Sequence, residues 1–105
     1  MQKTITIDGK SVPIAFSADT PRQYRETFGR DLIRDMTHMT KTMDTAILEN
    51  LAFVMAKTAD PTLQEVDIHE WLARFESVTA MYDAAEDILG AWTQNTKTSS
   101  ESKKK

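Results

Sequence analysis

A two-residue turn within residues 4–16, TITIDGKSVPIAF, constrains the fold more than any other segment of the chain. Asp8-Gly9 lies between two short runs of alternating β-branched residues, and both positions of such a turn require a positive φ. The segment therefore predicts a β-hairpin over about residues 3–16. Pro13 has no N–H to donate, so its strand is expected to form an edge of the sheet. Because an isolated hairpin is marginal in water, it must pack on the helices that follow.

After the hairpin the apolar spacing becomes helical. Thr20-Pro21 predicts a helix start, with Thr20 as the cap and Gln23 completing a capping box, and Gly29 is suited to end that helix. Four threonines between residues 37 and 45 lower helix propensity and predict a bend there. Further helices are expected to begin at residues whose side chains can accept hydrogen bonds from the amides of a first turn: Asp31, Asp44 (ending near Lys57), Asp67 and Ser77.

The last of these helices is expected to carry one apolar stripe. Its members are spaced three and four residues apart: Val78, Met81, Tyr82, Ala85, Ile88, Leu89 and Trp92. The sequence therefore predicts an α+β fold, mostly α, in which a short N-terminal hairpin packs on a bundle of about four to five helices.

The expected domain organisation is simple, since 105 residues fit one domain. Residues 1–94 are predicted to form that domain, with the hairpin at about 3–16 and the helices at about 21–94. Residues 95–105, NTKTSSESKKK, contain no apolar side chain. They are predicted to be a disordered tail rich in lysine and serine.

Charge is unevenly distributed along the chain, which has a net charge of −3. Residues 44–94 carry ten Asp/Glu against two Lys/Arg, a net of −8, whereas residues 1–43 have a net of +2 and the tail +3. An acidic middle disfavours nucleic acid and suits a basic protein partner. There is no cysteine, no long apolar run and no signal-peptide pattern at the N-terminus, so we expect a cytoplasmic protein without a membrane partner.

Catalytic and metal-binding patterns are incomplete. His69-Glu70 begins like a zinc motif, but Ala73 stands where the second histidine is needed. No enzyme activity, cofactor or metal is therefore predicted. Asp83, Glu86 and Asp87 share one helix face, for which a solvated surface is the favoured interpretation and a carboxylate site of a minor enzyme the alternative. The four arginines of residues 20–36 alternate with acids, which favours an ion-paired surface over an anion site.

The order of segments along the chain is more informative than its chemistry. The hairpin is followed by TPRQYRETFGRDLIRDM, LAFVMAKTADP, HEWLARFES and DILGAWTQN. From about Thr4 to Asn95 this order resembles the tail assembly chaperone family of long-tailed phages and prophages of Gram-positive bacteria. Its most specific parts are the YRETFGRDL stretch from Tyr24 to Leu32 and the FVMA segment followed by ADP.

The resemblance implies a non-enzymatic assembly factor in the cytoplasm of the bacterial host. Such proteins bind the tape measure protein and keep it soluble while the tail tube assembles, and they are absent from the mature virion. The tail tube protein is a further candidate partner. A programmed ribosomal frameshift often yields a longer form, which Lys103–Lys105 would fit if an A-rich slippery run encodes them.

A chaperone for a long amphipathic helix needs an apolar groove, and an acidic surface would favour a basic client. The candidate partner-binding residues come from the methionine-rich helix, the aromatic helices and the acidic face: Met36, Met39, Trp71, Phe75, Asp83, Glu86, Asp87 and Trp92. Assembly with further copies of the chain stays open. The alternatives are a small DNA-binding regulator that uses the helices around Gly29 as a helix-turn-helix, or another prophage protein-interaction module.

Overall fold

The chain begins with a two-stranded antiparallel sheet, β1 (Gln2–Ile7) and β2 (Lys10–Ala15). The computed structural model describes residues 2–42 and 44–92, without the side chain of Thr40. The predicted hairpin is confirmed, since Asp8 and Gly9 connect the strands with φ angles of 55° and 76°.

Helices make up most of the remaining described residues, which confirms the predicted α+β fold. They are α1 (Thr20–Phe28), α2 (Leu32–Thr42), α3 (Thr45–Ala59), a 3₁₀ turn (Pro61–Leu63), α4 (Ile68–Leu72), α5 (Ala80–Asp83) and α6 (residues 85–92). The predicted disordered tail, residues 95–105, and the frameshift position at Lys103–Lys105 lie outside the described residues.

The core is built around α3, which is packed against β2, α1, α2, α4 and α5. Every residue from Leu51 to Ala56 is buried, so the middle of this helix is apolar on all sides, as a central helix requires. The hairpin contributes Ile7 and Ile14, both with no exposed surface, from the face that lies against the helices. Full burial of such a side chain contributes about 1.5–3 kcal/mol, so the hairpin is stabilised mainly by this packing.

Several helix boundaries follow from local capping, as predicted. The carboxylate of Asp44 accepts from the amide of Ala46 at 3.0 Å, and that of Asp67 accepts from the amide of Glu70 at 2.9 Å. Asp31 likewise accepts from the amide of Ile33 at 2.9 Å at the start of α2. Each carboxylate satisfies an amide that has no partner within its own helix.

The cap of α1 was predicted wrongly. The helix does begin at Thr20, but the residue before it, Asp19, stands at the cap position. The hydroxyl oxygen of Thr20 instead accepts from the amide of Ser17 at 2.9 Å, and the Gln23 amide group donates to the Asp19 carboxylate at 3.0 Å. Thr20 is thereby used to close the turn that joins β2 to the helix.

The bend expected among the threonines begins later than predicted. Helix α2 continues to Thr42, and threonine hydroxyls within it donate to carbonyls one turn earlier, Thr37 to Ile33 at 3.0 Å and Thr42 to His38 at 3.1 Å. This bonding is compatible with a helix. Helix α3 also extends beyond the expected end at Lys57, to Ala59.

The prediction for the last helix was wrong in its start and its continuity. The helical segment begins at Ala80 after Thr79, not at Ser77, and a turn at Ala84 separates α5 from α6. The expected stripe is broken as a result: Val78 is fully exposed and Tyr82 is 56% exposed, whereas Met81, Ala85 and Ile88 are buried.

Gly29 ends α1 in the left-handed conformation, with φ 68°, and its amide donates to the carbonyl of Arg25. We expect Gly29→Ala to lower the free energy of unfolding by about 1 kcal/mol, because a side chain is disfavoured at this φ although a Cβ would meet no atom within 4 Å. Urea unfolding monitored by circular dichroism measures the loss.

Gly90 provides the control with the opposite sign. It lies in α6, where an added Cβ would also meet no atom within 4 Å, and its φ is not positive. Gly90→Ala should therefore raise the free energy of unfolding by about 0.5–1 kcal/mol. Equal effects of the two substitutions would contradict the left-handed cap.

Candidate partner-binding groove

An open groove lies between the first turns of α3 and the segment from the end of α4 through α5. Its volume is about 550 Å³, compared with about 440 Å³ for a shallower hollow beside Phe28 and Ile68. We call it the α3–α5 groove. Thr45 and Glu49 form one wall, and the other is mostly apolar: Leu72, Phe75, Val78, Met81 and Tyr82.

The apolar wall is shaped by the connection between α4 and α5. This segment is held to the hairpin, since the amide of Glu76 donates to the carboxylate of Asp8 at 2.8 Å. The turn before α5 is closed by Thr79, whose amide donates to the Ser77 hydroxyl and whose own hydroxyl donates to Asp83 at 2.9 Å. These bonds delay the start of α5, which leaves Val78 and Tyr82 at the surface of the groove.

The charge of the groove is negative. Glu49 and Glu76 line it, and no lysine, arginine or histidine is among its described lining residues. Burial raises the pKa of Glu49, and the negative charge of Asp44 raises it further. The groove therefore combines an apolar wall with a half-buried carboxylate that is costly to ionise alone.

An aromatic chain connects the groove to the core. Phe75 contacts Trp71 edge-on with ring centroids 5.2 Å apart, and Trp71 contacts Phe53 of α3 at 5.5 Å. Trp71 is buried, whereas Phe75 is half-buried and lines the groove. The apolar wall of the groove is therefore packed, through Phe75, on aromatic rings of the core.

The candidate partner-binding residues are not brought together as one site. Of these residues, Phe75 alone lines the α3–α5 groove. Asp83 is exposed and accepts a hydrogen bond from Thr79, which lines the groove. The others fall into two groups: Met36, Met39 and Trp71 are core residues that offer almost no surface in this conformation, while Glu86 and Asp87 are exposed and Trp92 is half-buried on α6.

Sequence reasoning missed every lining residue of the groove except Phe75, including Glu49, Val78 and Tyr82. Val78 and Tyr82 were assigned to the apolar stripe of a single last helix, whose start was placed three residues too early. Glu49 had a visible signal, since Glu49-Asn50 is the polar interruption in the apolar run from Ala46 to Ala56.

Two of the four arginines for which an ion-paired surface was predicted, Arg22 and Arg30, form ion pairs, and the partner of Arg30 is not the one that a continuous helix would give. Arg30 donates from Nε and Nη2 to the two oxygens of Asp35, at 2.7 and 2.9 Å. Arg22 lies 3.6 Å from Glu26 on the surface. Because Gly29 interrupts the helix, Arg30 turns toward α2 and away from Glu26.

The Asp35 carboxylate is the centre of a polar cluster between the two helices. Besides Arg30, it accepts from the hydroxyl of Tyr24 at 2.7 Å. Asp35 and Tyr24 are buried, so their pairing satisfies polar groups that lie almost entirely out of contact with solvent. The cluster fixes the angle between α1 and α2, and it engages the one arginine that follows Gly29 directly.

Within the part of the chain that the structure describes, no group of three or more His, Asp or Glu side chains is placed to hold a metal ion. In the same residues, no helix is both long and apolar enough to cross a membrane.

No family model, curated protein or solved structure matches this chain.

Proposed function

We propose that this protein is a tail assembly chaperone of a long-tailed phage or prophage of Gram-positive bacteria. It binds the tape measure protein and keeps it soluble in the host cytoplasm while the tail tube assembles, and it is absent from the finished virion. The tail tube protein and a frameshifted longer form of the chain are further partners in this proposal. The protein acts by binding and not by catalysis.

The observation that carries the proposal is the α3–α5 groove. Its exposed apolar wall, with Val78 and Tyr82, is the kind of surface into which an amphipathic helix docks. The order of segments along the sequence supports it further. The engagement of Arg30 by Asp35 removes one cation from the surface that the DNA-binding alternative would use.

The test is deletion of the gene in the phage or prophage that encodes it. We expect the tape measure protein to move from the soluble to the sedimenting fraction of the lysate, and tailed particles to disappear from electron micrographs. Expression of the wild-type chain from a plasmid should restore both. Normal tails and a soluble tape measure protein in the deletion strain would refute the proposal.

A further inference from the structure

The α3–α5 groove concentrates apolar surface that the rest of the described chain buries. Among the described residues, three large hydrophobic side chains are strongly exposed, namely Ile33, Val78 and Tyr82. Two of these three line this groove beside the half-buried Phe75. Clustered exposed apolar residues indicate a binding surface, whereas single ones are ordinary.

The shape of the groove suits a helix better than a small molecule. It is open along one side and holds about 550 Å³, space for several apolar side chains. A helix presents such side chains at positions i, i+3, i+4 and i+7, and the groove offers an apolar wall that includes Leu72, Phe75 and Tyr82 to receive them.

Charge decides which helix fits. Glu49 has no hydrogen bond or ion pair among the described residues, although it is half-buried. Burial and the negative charge of Asp44 both disfavour the ionised form of Glu49. A cation on the partner would offset both costs. Glu76 adds a second negative charge at the same groove.

We infer that the α3–α5 groove takes an amphipathic helix that carries a lysine or arginine on its apolar face, and that Glu49 selects this helix by pairing with the cation. The inference rests on the proposed function, for which it names the chemistry of the client segment. A second copy of the chain is the poorer occupant, because residues 44–94 have a net charge of −8 and would repel one another.

The probe is a pair of designed peptides that form amphipathic helices with leucine anchors at i, i+3, i+4 and i+7. They are identical except for one residue on the apolar face, which is lysine in one and glutamate in the other. We expect the full chain to bind the lysine peptide at least about tenfold more tightly in fluorescence anisotropy, because one peptide pairs with Glu49 and the other repels it. Absence of binding by both peptides, or equal binding of both, overturns the inference.

Two carboxylate variants separate selection from general attraction. Glu49→Gln should reduce the preference for the lysine peptide to about twofold or less, whereas Glu76→Gln should leave most of it. Melting curves of both variants, measured by circular dichroism, check that the fold is kept. An unchanged preference in Glu49→Gln overturns the assignment of Glu49.

Two apolar variants test the location. Tyr82→Asp should weaken binding of the lysine peptide about tenfold or more, and Ile33→Asp is the matched control because both side chains are 56% exposed in the wild type. Equal effects of the two would place the binding surface elsewhere. Sedimentation of the free chain checks the other occupant, since a dimer that Tyr82→Asp dissociates would overturn the choice of a helical partner.

The same variants distinguish this inference from the proposed function. If the chain captures the tape measure protein equally well with Tyr82→Asp or Glu49→Gln, the function stands and the groove assignment fails. If the peptide preference is found but the deletion strain makes normal tails, the groove assignment stands and the proposed function fails.

Discussion

Replacement of Phe53 by alanine should lower the free energy of unfolding by about 4 kcal/mol, the largest effect that we expect of a single side chain. Phe53 is 1% exposed and stands in the middle of α3, with Phe28 of α1 and Trp71 of α4 against its ring. Its loss leaves a cavity at the point where three helices meet. Small domains have only about 5–15 kcal/mol of stability, so urea unfolding at 25 °C should show a large fall in the midpoint.

Phe53→Leu is the matched control for this prediction. Leucine fills much of the space that the ring occupies, but it cannot make the aromatic contacts. It also loses the cation–π contact with Lys57, whose ammonium lies 5.3 Å from the ring centroid. We expect a loss of about 1–2 kcal/mol. A loss below about 1 kcal/mol for Phe53→Ala would mean that the ring is not part of the core.

The parts of the fold that could be predicted are those fixed by neighbouring residues. The Asp8-Gly9 turn, the left-handed Gly29 and the caps at Asp44 and Asp67 each depend on backbone geometry within four residues, and a single sequence contains that information. The central position of α3 was only partly visible. A helix from Asp44 to about Lys57 was predicted, but burial on all sides depends on how many elements surround it.

The groove and the Asp35 cluster depend on contacts that sequence spacing does not contain. The start of α5 is set partly by Thr79 and partly by the bond between Asp8 and the amide of Glu76, which are 68 residues apart. For this reason Val78 was predicted to lie in the last helix, although that helix begins only at Ala80. In the sequence, Asp35 cannot be distinguished from a surface acid of a charged helix. Its buried position depends on the turn at Gly29, which brings its partners to it.

Replacement of Asp35 by alanine should have the second large effect, a loss of about 3 kcal/mol in the free energy of unfolding. The buried hydroxyl of Tyr24 would lose its acceptor at 2.7 Å, and Arg30 would lose both of its bonds to the carboxylate. Asp87→Ala is the control, since Asp87 is exposed and should change stability by less than about 0.5 kcal/mol. Similar losses for the two substitutions would contradict the buried cluster.

The same carboxylate should make stability depend on pH. The guanidinium of Arg30 and, after it, the Tyr24 hydroxyl lower the pKa of Asp35, while burial opposes them. An unfolded aspartate titrates near about pH 4, so the stabilisation is complete above that pH and is lost as the pH falls through the lower folded-state pKa. The difference in unfolding free energy between the wild type and Asp35→Asn should therefore be constant from about pH 5 to 8 and shrink below about pH 4. Urea titrations across this range measure it, with Asp87→Asn in parallel. Because the unfolded carboxylate binds its proton first, a difference that stays constant down to about pH 2.5 would show that folding does not lower the pKa of Asp35, which would contradict its pairing with Arg30.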